Sequence, residues 1–130
     1  MFKKVNHIGI GVKDIEKVTK LWTDVFGVEA RPMVTEGDMK VVMLPLGDLL
    51  IELLAPVADQ GVMAKFLEKR GEGLHHVCFE VENIEEAMKE LASKGMELID
   101  KAPREGAEGL IAFLHPKSTN GVLTEIVQVR

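Results

Sequence analysis

Apolar and polar residues alternate in two stretches of the chain, HIGIGVKDIE at residues 7–16 and HHVCFEVENIE at residues 75–85. In the first, Ile8, Ile10 and Val12 share one face while His7, Gly9 and Gly11 share the other; in the second, Val77, Phe79 and Val81 oppose His76, Cys78 and Glu80. Alternation with period two predicts a half-buried β-strand in each stretch. One constant offset superimposes His7 on His76, Val12 on Val81, Asp14 on Asn83, Ile15 on Ile84 and Glu16 on Glu85, so the chain contains an internal repeat.

After each strand the period changes. Val18, Leu21, Trp22, Val25 and Phe26 recur at helical spacing, as do Ile84, Ala87, Met88, Leu91 and Ala92, which predicts two amphipathic helices. Asp14 and Asn83 are suited to cap their N-termini, and Asn83 with Glu86 has the spacing of a capping box. Gly27 and Gly95 fall where a left-handed C-terminal cap belongs. Extended segments follow at 40–46 and 49–54 in the first half and at 110–114 and 122–129 in the second, parted by the turn sequences PLGD and PKSTNG. Between the halves a short helix over 62–69 turns Met63, Phe66 and Leu67 inward. The expected organisation is a single domain over 1–130, with module 1 at about 1–56, a connector helix within 57–71 and module 2 at about 72–130.

Composition narrows the function classes. The net charge of −5 disfavours nucleic acid, which requires a clustered basic face. An anionic small molecule would need local cations, and Lys65 with Lys69 and Arg70, Arg104, and Lys117 are the groups at hand; the ordinary reading of each is a solvated charge. The apolar runs are too short to span a bilayer, and the N-terminus enters a strand without a signal-like segment, so the expected setting is the cytoplasm, with no membrane partner. The single cysteine, Cys78, reads as a small buried hydrophobe.

Two glutamates interrupt apolar strands: Glu52 in LLIELLAP and Glu125 in VLTEIVQV. An unpaired carboxylate on a buried strand costs several kcal/mol, so each needs a compensating partner. Both occupy the last strand of their half, as His7 and His76 occupy the first. Taken singly, a strand histidine is more often a hydrogen-bonded core residue than a ligand. Four such residues at symmetric positions of a repeat point to a metal site of two nitrogens and two oxygens, which suits cobalt foremost, and also manganese, nickel or zinc. His75, without a counterpart in the first half, lies on the opposite face from His76, and His115 lies in a turn before Pro116.

These residues, together with IELLAP, AKFLEKRGEGLHHVCFEVENIE and AFLHPKSTNGVLTEIV, resemble the vicinal oxygen chelate superfamily and, more narrowly, its methylmalonyl-CoA epimerases. The resemblance covers nearly the whole chain; RGEGLHH and HPKSTNGVLTE are its most particular motifs. It implies an α+β fold in which two paired βαβββ modules form a curved eight-stranded mixed sheet around a metal cavity. It implies the ligands His7, Glu52, His76 and Glu125, a CoA thioester as substrate, and a homodimer. The implied chemistry is removal and return of the C2 proton through an enolate, with Glu125 and Glu52 as the two acid/base groups. Lys117, Ser118, His115 and Lys40 are the expected substrate-contacting residues. Lys40 also matches, by count, the position of a carboxylate proposed as a base in this family, where a cationic lysine departs from the pattern. The ligand set alone admits two other readings: a metal-dependent glyoxalase I, and a non-enzymatic resistance protein that binds a small molecule. Ring-cleaving dioxygenases fit less well, because they use two histidines and one carboxylate.

Overall fold

The computed structural model describes residues 1–130. Contacts divide the chain into two compact units, one formed by His7–His75 and the other by Met1–Asn6 with His76–Arg130. The connector helix thus belongs to the first unit, and the first six residues belong to the second.

In the His7–His75 unit, strand β1 (Lys4–Gly11, entering this unit at His7) leads into helix α1 (Ile15–Lys20), followed by β2 (Val34–Glu36), β3 (Met39–Leu46), β4 (Leu49–Pro56) and helix α2 (Val62–Arg70). The strands lie in the order β2-β3-β4-β1. β3 pairs antiparallel with β2 and β4, and β1 runs parallel to β4 with Gly9 beside Glu52. One face of this sheet packs Val42, Leu44, Ile51, Leu53 and Ala55 against Val12 and Ile15. The other packs Val41, Met43, Leu50 and Leu54 against Met63 and Leu67 of α2. Gly11 permits that second layer, since a Cβ there would stand 2.9 Å from the Met63 sulfur and 2.9 Å from the Phe66 ring.

The second unit repeats the plan with β5 (Gly73–Glu80, entering at His76), α3 (Ile84–Ser93), β6 (Arg104–Glu105), β7 (Gly109–Leu114) and β8 (Thr124–Val129). Its strands lie in the order β5-β8-β7-β6; β5 and β8 are parallel with Cys78 beside Glu125, and the remaining pairs are antiparallel. Helix α3 buries Ile84, Ala87, Met88 and Leu91 against Ala112, Leu114 and Ile126. The hydrophobic cluster on the opposite face is Cys78, Ile111 and Val127, with Phe113 against them. The chain therefore builds the two βαβββ modules expected from its repeat.

The caps are those the sequence indicates. Asp14 accepts from the Lys17 amide, Asn83 accepts from the Glu86 amide, and Gly27 and Gly95 take φ of +68° and +88° beyond their helix ends. One expectation fails. After α1 the chain continues as a π-helical turn over Leu21–Val25, in which the Phe26 amide donates to the Leu21 carbonyl. The wider turn rotates the apolar stripe off the sheet, so Val18 and Trp22 still pack inward while Leu21, Val25 and Phe26 are exposed.

Candidate functional site

Each unit carries one buried imidazole and one buried carboxylate on the same sheet face, set by the same register. Neighbours across a β-ladder point to the same side. Glu52 is paired across the ladder with Met43, and Glu125 with Phe113. The residue two places after the histidine, Gly9 or Cys78, lies beside the glutamate in both units. The consequence is a close contact in each: His7 Nε2 lies 3.6 Å from Glu52 Oε1, and His76 Nε2 lies 2.9 Å from Glu125 Oε1. All four side chains are buried, at 4% exposure for His7, 6% for Glu52, 5% for His76 and 4% for Glu125.

Buried carboxylates of this kind demand a positive partner, and an imidazole supplies one only when protonated. A neutral imidazole with an adjacent carboxylate instead offers a nitrogen and an oxygen to a cation. His7, Glu52, His76 and Glu125, with the buried Cys78, are side chains able to hold a metal ion. The nitrogen and oxygen donors fit a divalent first-row ion.

The other expected contacts are placed as follows. Lys40, half-buried on β3, pairs with Thr35 and Ala55. Ala55 packs with Val42 and Leu44 on the α1 side, so Lys40 points to the sheet face opposite Glu52. The count that matches Lys40 to the family's carboxylate position takes no account of this register. The carboxylate on the Glu52 face is Glu36, half-buried at the end of β2 and paired with Met39, which packs with Val41 and Met43. Glu36 does not stand out in the sequence, because a three-residue edge strand carries too few positions to display alternation. His115 caps the turn 116–118, its Nδ1 accepting the Lys117 amide, and its Nε2 lies 3.9 Å from Glu97. Ser118 Oγ accepts the Glu97 amide at 2.8 Å, while Lys117 is exposed. His75 meets the Phe66 ring edge-on at 4.7 Å.

A family model described as the Glyoxalase/Bleomycin resistance protein/Dioxygenase superfamily matches residues 6–113. The chain is 38% identical over 127 residues to the mitochondrial methylmalonyl-CoA epimerase of Dictyostelium discoideum, spanning 95% of this chain and 76% of that protein. It is 37% identical over 134 residues to the ethylmalonyl-CoA/methylmalonyl-CoA epimerase of Cereibacter sphaeroides, spanning 99% and 100%. A structure of a Streptomyces coelicolor methylmalonyl-CoA epimerase variant in complex with 2-nitronate-propionyl-CoA matches with a TM-score of 0.94 at 29% identity, covering 99% of each chain.

Proposed function

Because the chain belongs to the glyoxalase/bleomycin resistance protein/dioxygenase superfamily and, within it, to the methylmalonyl-CoA epimerases, we propose that it interconverts (R)- and (S)-methylmalonyl-CoA by removing and returning the C2 proton. The observation that carries this reading furthest, beside the relatives, is the buried imidazole–carboxylate contact repeated at one register in each unit. A glyoxalase or a binding protein of the same fold finds no support among the relatives named above.

In this proposal His7, Glu52, His76 and Glu125 hold one divalent ion, cobalt foremost. When bound, the ion supplies Lewis acidity toward the thioester carbonyl and carboxylate oxygens of the substrate, which makes the C2 proton easier to remove. The chain's own residues do the rest. Inversion needs one proton acceptor and one donor on opposite faces of the planar enolate, and carboxylates are competent at both tasks. Glu125 is one of these groups. The sequence nominates Glu52 as the other; a glutamate engaged as a ligand must release an oxygen before it can carry a proton, a requirement that Glu125 and Glu52 share. Glu36 stands on the Glu52 face of its own sheet and is not among the four ligands proposed here. Glu36 is therefore assigned the second proton and Glu52 the ion. The homodimer and the cytoplasmic setting belong to the same proposal; no helix is long and apolar enough to cross a membrane.

The test is exchange and inversion at C2 of methylmalonyl-CoA in deuterated water, with metal content measured on the same samples. The wild type should wash deuterium into C2 and lose this activity to a chelator. Glu36→Gln should keep the ion and lose inversion, whereas Glu52→Gln should lose the ion. A Glu36→Gln enzyme with normal turnover, beside a metal-loaded but inactive Glu52→Gln enzyme, would return the second proton to Glu52. A wild type inert toward methylmalonyl-CoA overturns the function itself.

A further inference from the structure

Arg104 opens the two-residue strand β6 and is paired across the ladder with Ile111, so its side chain leaves the sheet on the face that carries Ile111, Phe113 and Cys78. There the guanidinium carbon lies 5.5 Å from the centre of the Phe113 ring. The same ring meets the His76 imidazole edge-on, with centroids 5.7 Å apart, and His76 contacts Glu125. Arg104 is thus separated from the His76–Glu125 pair of its own unit by a single aromatic side chain.

The guanidinium is held from one side only. Arg104 Nε donates to Asp100 Oδ1 at 2.9 Å, and the other oxygen of Asp100 accepts the Phe113 amide at 2.7 Å. One carboxylate therefore ties the arginine to the backbone of the strand whose ring it covers. The two terminal nitrogens, with their four N–H groups, have no partner in the protein, and the side chain is 54% exposed. An arginine that only fastened the 100–113 segment would have no need of an aromatic platform that leaves its fork open. Fixing the planar fork before a ligand arrives reduces the ordering lost on binding, and two parallel N–H donors match the spacing of carboxylate or phosphate oxygens. Asp100 offsets part of the charge, so the gain rests on the geometry of the fork more than on long-range attraction.

We propose that Arg104 is a substrate-recognition residue that binds an anionic group of the CoA thioester through its two terminal nitrogens. This rests on the epimerase reading above and names a contact of that same site. The shared chemistry is an anionic oxygen pair, which the substrate carries both as its free carboxylate and as the phosphates of CoA.

Calorimetric binding of methylmalonyl-CoA, propionyl-CoA and methylmalonyl-pantetheine to the metal-loaded wild type and Arg104→Gln separates the two sources. Arg104→Gln should weaken methylmalonyl-CoA binding by about ten- to a hundredfold, the range of a lost charge-assisted hydrogen bond, and should raise KM far more than it lowers kcat. A loss retained with propionyl-CoA and absent with the pantetheine ester assigns the phosphates; the reverse assigns the carboxylate. A folded Arg104→Gln protein that binds all three within twofold of wild type, while wild type turns over methylmalonyl-CoA, overturns the proposal and leaves the epimerase reading standing. Should that variant not fold, the wild type decides: methylmalonyl-CoA should slow phenylglyoxal modification of Arg104 as followed by mass spectrometry, and an unchanged rate overturns the proposal. A wild type that neither binds nor converts methylmalonyl-CoA removes the premise and the proposal together.

Discussion

The two units place the same imidazole and carboxylate at the same ladder register but fill the surroundings differently. In the first, the position beside Glu52 is Gly9, and helix α2 roofs the face by laying Met63 and Leu67 over Leu50 and Leu54. In the second, the position beside Glu125 is Cys78, no helix lies on that face, and Ile111, Phe113 and Val127 are its apolar cover. The contacts differ too: 3.6 Å between His7 and Glu52 is beyond a hydrogen bond, whereas 2.9 Å between His76 and Glu125 is within one. Ladder register thus fixes which side chains meet, and the packing around them is free to diverge. A repeat can keep its chemistry while one copy gains a helix and the other a thiol and an arginine-capped ring.

The largest effect should come from breaking the contact in each unit. His7→Ala and His76→Ala should both abolish stoichiometric metal binding, read by elemental analysis, and epimerisation with it. Their effects on the chelator-stripped protein should differ. Removing one partner of a buried charged pair costs about 3–5 kcal/mol, because the other charge is left in apolar surroundings. His76→Ala removes the shorter contact and should sit in that range, while His7→Ala removes a looser one and should cost less by urea denaturation. Equal losses would mean that the difference between 2.9 and 3.6 Å carries no energetic weight.

The next effect tests the roof. Gly11→Val drives a side chain into Met63 and Phe66, and overpacking of this kind costs about 1–3 kcal/mol. The residue that the repeat superimposes on Gly11 is Glu80, whose side chain is 19% exposed and lies 3.9 Å from Lys3. Glu80→Val loses one ion pair and should cost no more than about 1 kcal/mol. Comparable losses at both positions would show that α2 does not depend on the glycine beneath it.

Much of this contrast was legible in the sequence and some of it was not, for physical reasons. Strands β1 and β5 announce themselves by alternation over eight residues, β4 and β8 by apolar runs between turn signals, and the helix starts because Asp14 and Asn83 have few other uses before an apolar stripe. The glutamates were conspicuous because charge on a buried strand is expensive. β2 and β6 were missed, at three and two residues, since edge pairing and not pattern creates them. The π-helical turn was missed because an inserted residue leaves every local propensity intact and only displaces the stripe, which is why Leu21, Val25 and Phe26 looked like core. Lys40 and Glu36 stand on opposite sheet faces, which a position counted along the chain does not show; the ladder partners Ala55 and Met39 do.

The smallest effect concerns Cys78, the one residue on the site face of the second unit that has both a packing role and a ligand's chemistry. It is fully buried and clusters with Ile111 and Val127, and its counterpart Gly9 offers no side chain at all beside an equivalent glutamate. A position that glycine fills in one unit is dispensable for holding the glutamate, so the thiol should be packing and not a ligand. Cys78→Ala removes only the sulfur, and the expected loss is about 1 kcal/mol in urea denaturation, within the range for deleting one buried heavy atom. Metal affinity, measured by competition with a chromogenic chelator, should stay within about threefold of wild type. The cobalt-loaded wild type should also lack the near-ultraviolet charge-transfer band of a thiolate ligand, which Cys78→Ala would otherwise abolish. If that band appears in wild type and vanishes in Cys78→Ala, the second unit contributes sulfur to the ion, and its difference from the first is chemical as well as a matter of packing.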